Sequence, residues 1–283
     1  MRYLIRITGH IKILGITLLL TVSHSAHAQK LPLWEIGVGL GALYLPFYRG
    51  ASQTKTYALP YPYLVYRGKY LEIDAGSVRG HLFETKRTLL DLSLAAGIPV
   101  PSDEDGARVG MPRLDPTLEL GPSLEVHLWH HKMKRRSLTL NFPLRSSFSV
   151  SLDHIAQQGW SFSPYLEYAI KSSRHGDWKA SLALGPLYAD SDYHNYYYQV
   201  DAVYASASRP EYNASGGYSG SRVTFTVTKN IGDLWLGGFI RYDDLDGAVF
   251  KDSPLVTEGS YMAMGVALTW VFAKSETLVE VSD

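Results

Sequence analysis

Residues 116–129 read PTLELGPSLEVHLW, and this stretch decides the fold. Leu118, Leu120, Pro122, Leu124, Val126 and Leu128 fall on one side. Thr117, Glu119, Gly121, Ser123, Glu125 and His127 fall on the other. A period of two is that of a β-strand, whose successive side chains point to opposite faces. One face is almost purely aliphatic, the other carries full charges. The stretch is long enough to cross a bilayer as a tilted strand, which takes about 9–11 residues.

The same alternation recurs along the chain. It predicts strands over residues 34–45, 56–66, 88–97, 137–146, 160–169, 178–187, 222–229, 234–242 and 260–272. Residues 70–75 and 79–84 read either as a hairpin turning at Gly76-Ser77 or as one bent strand. Counting the hairpin as two gives about twelve strands, with ten as the alternative, and bacterial barrels have even numbers. An even count puts both chain ends on one side of the membrane. The long connections 98–115, 147–159, 188–221 and 243–259 then fall outside, and the short ones inside. Twenty tyrosines and six tryptophans suit aromatic girdles at two interfaces. The expected fold is an all-β transmembrane antiparallel barrel over residues 29–272, followed by a polar tail, 273–283.

Arg2, Arg6 and Lys12 precede a short apolar run, 13–22, and Ala26-His27-Ala28 has a small residue on each side of one. This pattern predicts a secretory signal peptide over residues 1–28. The run is shorter than the ~18 residues of a spanning helix. Lys plus Arg equals Asp plus Glu, 27 each, which gives no electrostatic reason to expect nucleic acid. There are no cysteines, so no disulfide framework. Pro60, Pro62, Pro122, Pro143, Pro164 and Pro186 fall inside expected strands. Proline cannot donate to a ladder, and a closed barrel has no edge to hold it, so bulges or strand ends are expected there.

Several blocks carry a family resemblance: GLGALYLPFYRG (39–50), YALPYPYLVYRG (57–68), GMPRLDPTLELGPSL (110–124), GWSFSPYL (159–166), GPLYADSDYHNYYYQV (185–200), GGYSGS (216–221) and DSPLV (252–256). Together they resemble the MipA/OmpV family over nearly the whole mature chain. The resemblance implies a Gram-negative outer-membrane β-barrel in contact with outer-membrane lipid. It also implies a scaffold role, holding a lytic transglycosylase near a penicillin-binding protein, and it supplies no catalytic residues. Such barrels usually end on the aromatic of the last strand; here Phe272 is followed by the tail.

Two partner-binding candidates stand out. One is the basic turn with Lys132, Lys134, Arg135 and Arg136, which could dock an acidic partner or a lipid phosphate. The other is the tyrosine-rich connection with Tyr193, His194, Tyr196, Tyr197 and Tyr198. Its tyrosines could hold a ligand or pack over the barrel mouth. The inward face carries Glu35, Glu119, Glu125, Arg145, Glu167, Lys179 and Arg241, expected to pair across the lumen, with a selectivity ring as the alternative. Adjacent histidines His130 and His131 make a poor metal site, and no cofactor is expected. Acidic residues 103–105 could bind a divalent cation or simply be solvated. The nearest approach to a catalytic constellation is Ser151, Asp153 and His154. The reading is therefore a non-enzymatic scaffold, with a narrow pore, a small-molecule binder or an adhesin as alternatives.

Overall fold

The computed structural model describes residues 29–281 except 70, 75–76, 81–82, 86, 103–105, 132–134 and 173–177. The expected signal peptide, the acidic residues 103–105, Lys132 and Lys134 thus lie outside the described residues. The wall begins with β1 (Gln29–Pro32), β2 (Trp34–Pro46), β3 (Thr54–Arg67), β4 (Leu71–Asp74), β5 (Ser77–Gly80), β6 (Phe83–Glu84) and β7 (Thr88–Gly97). It continues through β8 (Thr117–His131), β9 (Arg136–Val150), β10 (Ile155–Phe162), β11 (Tyr165–Ser172) and β12 (Trp178–Ala189). A helix, α1 (Ser191–Tyr198), precedes β13 (Gly217–Ile231), β14 (Leu234–Asp244), β15 (Ser260–Lys274) and β16 (Leu278–Val281).

Neighbouring strands pair antiparallel, and the last long strand, β15, returns to β2 with Leu268 opposite Leu40. The sheet has twelve strand positions, because β5 and β6 are pieces of one traverse and β10 and β11 of another. Residues 71–80 form the hairpin, with Asp74 opposite Ser77.

Alternation sorts the side chains as hydration energetics requires. On β15, Met262, Met264, Val266, Leu268, Trp270 and Phe272 point outward, while Tyr261, Ala263, Thr269 and Val271 are buried inward. In water such a continuous exposed apolar belt would be an aggregation surface; in a bilayer it is solvated by lipid. Trp34, Trp129, Trp178, Trp270 and Phe272 mark the end of the barrel where β1 and β16 lie. Tyr44, Trp160, Phe162, Tyr188 and Tyr242 mark the other. No helix among the described residues is long and apolar enough to cross a membrane.

Three expectations change. Val150 and Ile155 pair, so the expected long connection 147–159 is a tight turn, with Ser151 N–H donating to His154 O at 3.0 Å. The polar tail carries a strand that the alternation did not predict: β16 pairs with β1, Pro32 opposite Leu278 and Gln29 opposite Val281. The prolines follow two different rules. Pro164 ends a strand piece, since β10 stops at Phe162 and β11 starts at Tyr165. Pro143 and Pro186 stay in register opposite Ser123 and Ser221, and Pro122 opposite Leu92. Gly121 and Gly185 sit beside these prolines because an added Cβ would lie 2.0 Å from the carbonyl oxygens of Leu144 and Pro164. Pro60 and Pro62 lie in an unbroken β2–β3 ladder with no bulge.

Candidate functional site

The connection from β12 to β13 folds back into the barrel mouth as α1. Asp190 caps it: Oδ1 accepts from Tyr193 N–H at 2.9 Å, and Oδ2 accepts from Trp160 N–H at 3.0 Å, tying the helix start to β10. The tyrosines expected to bind a partner are engaged internally. Tyr193 Oη donates to Glu119 Oε1 at 2.9 Å, and Ser161 Oγ to its other oxygen at 3.1 Å. Tyr196 donates to Asp115 O at 2.8 Å, Tyr198 to Arg49 O at 3.0 Å, and Tyr197 lies 3.4 Å from Thr117 Oγ1. Burial pushes the Tyr197 hydroxyl up to about 12, so it stays neutral.

His194 sits at the centre of this plug, 1% exposed. Its Nδ1 lies 2.7 Å from Ser215 O, a group that only accepts, so Nδ1 carries the proton. Its Nε2 then accepts from Ser219 Oγ at 2.7 Å. Burial holds His194 below its ordinary value, with the Arg49 charge acting in the same direction against the Ser215 hydrogen bond. Phe47, Tyr48, Val100, Leu114, Val200, Leu245, Phe250 and Leu255 come from separate connections and form one buried apolar cluster with Tyr198. The loops at this end are thus a packed core, not a fringe.

Below the plug lies a charge centre that sequence reading missed. Asp243, wholly buried, accepts from Arg222 Nε and Nη2 at 2.9 and 2.8 Å. Arg241 Nε lies 3.0 Å from its other oxygen, and Arg49 Nε 3.3 Å from the first. The Arg241 and Arg49 approaches are ionic contacts outside hydrogen-bond geometry. Arg49 Nη2 also donates to Ser219 O at 2.7 Å, linking centre and plug. Alternation on β14 puts Arg241, one of the expected inward charges, and Asp243 on the same inward face; the other two partners, Arg222 of β13 and Arg49 of a loop, are distant in sequence.

The inward charges that have partners meet them on the same or nearby strands rather than across the lumen. Glu35 pairs with Arg67 at 2.8 Å, Glu167 with Lys179 at 3.8 Å and Arg241 with Asp243. Arg145 donates to Ser93 Oγ at 2.9 and 2.8 Å. Glu125, opposite Asn141 on β9, has no ion-pair partner among the described residues. Arg135 sits at the β8–β9 turn with φ 47°, and Arg136 begins β9, exposed and opposite His131. Ser151 Oγ lies 2.9 Å from His154 Nδ1, in an exposed turn at the rim.

The lumen holds a cavity of about 750 Å³ lined by Leu43, Tyr61, Tyr63, Trp235 and Phe239 among others. A smaller one, about 260 Å³, lies between Arg145, Glu167 and Arg222. Among the described residues no three metal-ligating side chains converge.

A family model described as MltA-interacting protein MipA matches residues 38–272. No curated protein sequence matches the chain. Three solved structures are similar in outline. The COG4313 outer membrane channel from Pseudomonas putida F1 is 10% identical, with 88% of this chain and 99% of that one covered and a TM-score of 0.44. The NanC porin is 8% identical, with 83% and 98% covered and a TM-score of 0.35. The Pseudomonas putida toluene transporter TodX is 7% identical, with 86% and 68% covered and a TM-score of 0.26.

Proposed function

Because the chain belongs to the MltA-interacting protein MipA family, we propose that this outer-membrane β-barrel is a non-enzymatic scaffold. It holds a lytic transglycosylase together with a penicillin-binding protein at its periplasmic face, after export by the signal peptide. Family membership is the observation that carries this reading. Two features of the molecule support it. The mouth at the loop end is filled by α1 and its hydrogen bonds to Glu119, Asp115 and Arg49, which disfavours an open pore. An adhesive role for Tyr193, Tyr196, Tyr197 and Tyr198 would need them turned outward, and they pack inward.

The docking face is the end where β1 and β16 meet. Arg135 and Arg136 lie at the β8–β9 turn and offer cationic groups to an acidic partner, and Lys132 and Lys134 adjoin them in the sequence. Crosslinking of intact cells carrying a tagged copy, followed by purification in detergent, tests this. Recovery of a lytic transglycosylase or a penicillin-binding protein, lost when Lys132, Lys134, Arg135 and Arg136 become alanine, is the expected result. A purified barrel with no murein enzyme attached would overturn it.

A further inference from the structure

The ladder of the wall is interrupted on one side. β3 pairs with β2 along its whole length, Thr54 opposite Pro46 to Tyr66 opposite Trp34. On its other edge, among the described residues, it pairs only at Tyr66 and Arg67, with Ile73 and Glu72 of β4. β4 and β5 have four residues each, and Asp74 and Ser77 close the hairpin at about the level of Val65. Across the interruption, β7 pairs with β6 at Leu89 and Leu90, and β5 lies beside β7 with no ladder between their described residues. Among the described residues the upper part of β7, from Asp91 to Gly97, has a ladder partner only in β8.

The hydrogen bonds at the base of β3 fix the direction of its N–H groups. Arg67 N–H donates to Leu33 O, toward β2, and Gly68 N–H to Leu71 O, toward β4. Since the direction alternates, even-numbered residues of β3 aim their nitrogens at the interruption. Pro60 and Pro62 are even-numbered. Their rings therefore replace donors that would face hydrocarbon with nothing to receive them, the costliest feature of an open edge in a membrane. This accounts for two prolines in a strand without a bulge. It also marks the edge as built to remain unpaired.

The 750 Å³ cavity passes through this interruption. Its lining includes the inward Tyr61 and Trp235, and also Leu64 of β3 and Leu94 of β7, which belong to the lipid-facing belt. None of the described residues that line it is charged. The β4–β5 hairpin floors the opening. Its roof is the loop core, where Gly106 approaches the Gln53 side chain and Phe47 and Tyr48 share one buried cluster with Val100 and Met111.

We propose that the interruption is a lateral port through which a small, uncharged, apolar molecule dissolved in the bilayer enters the lumen cavity. The volume lies within the ordinary range for small-molecule sites, about 300–1,000 Å³. The chemistry selects against a phospholipid. Floor and roof bound the opening within the hydrocarbon belt, and among the described residues no cation lines it to receive a phosphate. The proposal is independent of the scaffold reading, which concerns the other end of the barrel.

Photolabelling in lipid nanodiscs tests it. The probe is 3-trifluoromethyl-3-phenyldiazirine, and adducts are mapped by mass spectrometry. Adducts are expected on the inward Tyr61 and Phe239 as well as on belt residues such as Met264 and Leu268. Excess naphthalene should reduce the inward adducts at least fivefold and leave the belt adducts unchanged. Gly41→Leu fills the cavity: a Cβ at Gly41 lies 3.6 Å from the Tyr61 ring and 3.8 Å from the nearest backbone atom, ordinary contact. It should reduce inward labelling by a similar factor, with belt labelling reporting that the barrel has folded. Adducts confined to the belt, or inward adducts insensitive to naphthalene, would overturn the port. So would equal inward labelling by a charged, water-soluble diazirine, which would make the cavity aqueous. Equal inward labelling by a phospholipid with a diazirine at its chain end would assign the cavity to lipid instead.

Discussion

Tyr198 and Phe250 lie face to face, ring centroids 3.8 Å apart and planes 8° apart, with Phe250 fully buried. One ring belongs to the plug helix and the other to the β14–β15 connection, so this stack is where the plug is held from a second side. Truncating a buried Phe to Ala costs about 3–5 kcal/mol. Phe250→Ala is therefore expected to speed amide hydrogen exchange over residues 191–198 by orders of magnitude while the strands stay protected. Phe250→Leu, which keeps more volume, should do so less. Unchanged exchange in the alanine variant would mean the hydrogen bonds alone hold the helix.

Asp243 neutralises part of a centre that contains Arg49, Arg222 and Arg241. Removing one partner of a buried ion pair costs about 3–5 kcal/mol, because the remaining charges stay desolvated. Asp243→Ala leaves three guanidinium groups facing one another. The temperature at which the folded barrel loses its compact gel mobility should fall well below that of the unaltered protein. An unshifted transition would show that solvent reaches the centre.

His194 gives the plug a pH dependence. Its folded-state value is depressed below the ordinary 6.5, chiefly by burial. The unfolded or undocked helix therefore binds a proton more readily than the docked one, and docking is favoured as pH rises. Its contribution is complete above pH 6.5 and is lost progressively as pH falls below it. Proteolysis or hydrogen exchange of residues 191–198 at pH 7.5 and pH 5 should show a looser plug at the lower pH. His194→Gln should flatten that difference.

Pro60→Ala and Pro62→Ala each restore a backbone N–H aimed at the interrupted edge. An unsatisfied buried donor costs about 1–3 kcal/mol. Refolding from urea into vesicles should give lower stability for each variant, and the double variant should be lower still. A gain in stability would mean that the restored donors find partners and that the edge can pair.

The strand periodicity of this chain was legible because a lipid-facing surface tolerates so few exceptions. Leu118, Leu120 and Leu124 are exposed where alternation puts them. The polar phase of residues 147–150 and 155–159 hid the upper parts of β9 and β10, which rise past the belt and close in the Ser151–His154 turn. Helix α1 was hidden for another reason. Its run of tyrosines has no apolar stripe, and its stability comes from hydrogen bonds to Glu119, Asp115 and Arg49, distant in sequence. Only the Asp190 cap is a local sign of it. The prolines pointed to a break in the ladder, but which side of the strand was broken depends on the direction of each nitrogen, and that needs the register.

A cylinder slit along part of its length resists twisting far less than a closed one. Among the described residues the wall above the β4–β5 hairpin is such an open section of the ladder, bounded by β3 as one lip and β7 as the other. Hoop tension there cannot pass through backbone hydrogen bonds and must cross the roof, where Gln53 meets Gly106 and Phe47 and Tyr48 pack with Val100 and Met111. The separation of the lips is then set by a handful of side chains at the water interface rather than by the sheet. A change in those loops can widen or narrow the passage without altering a single strand pairing.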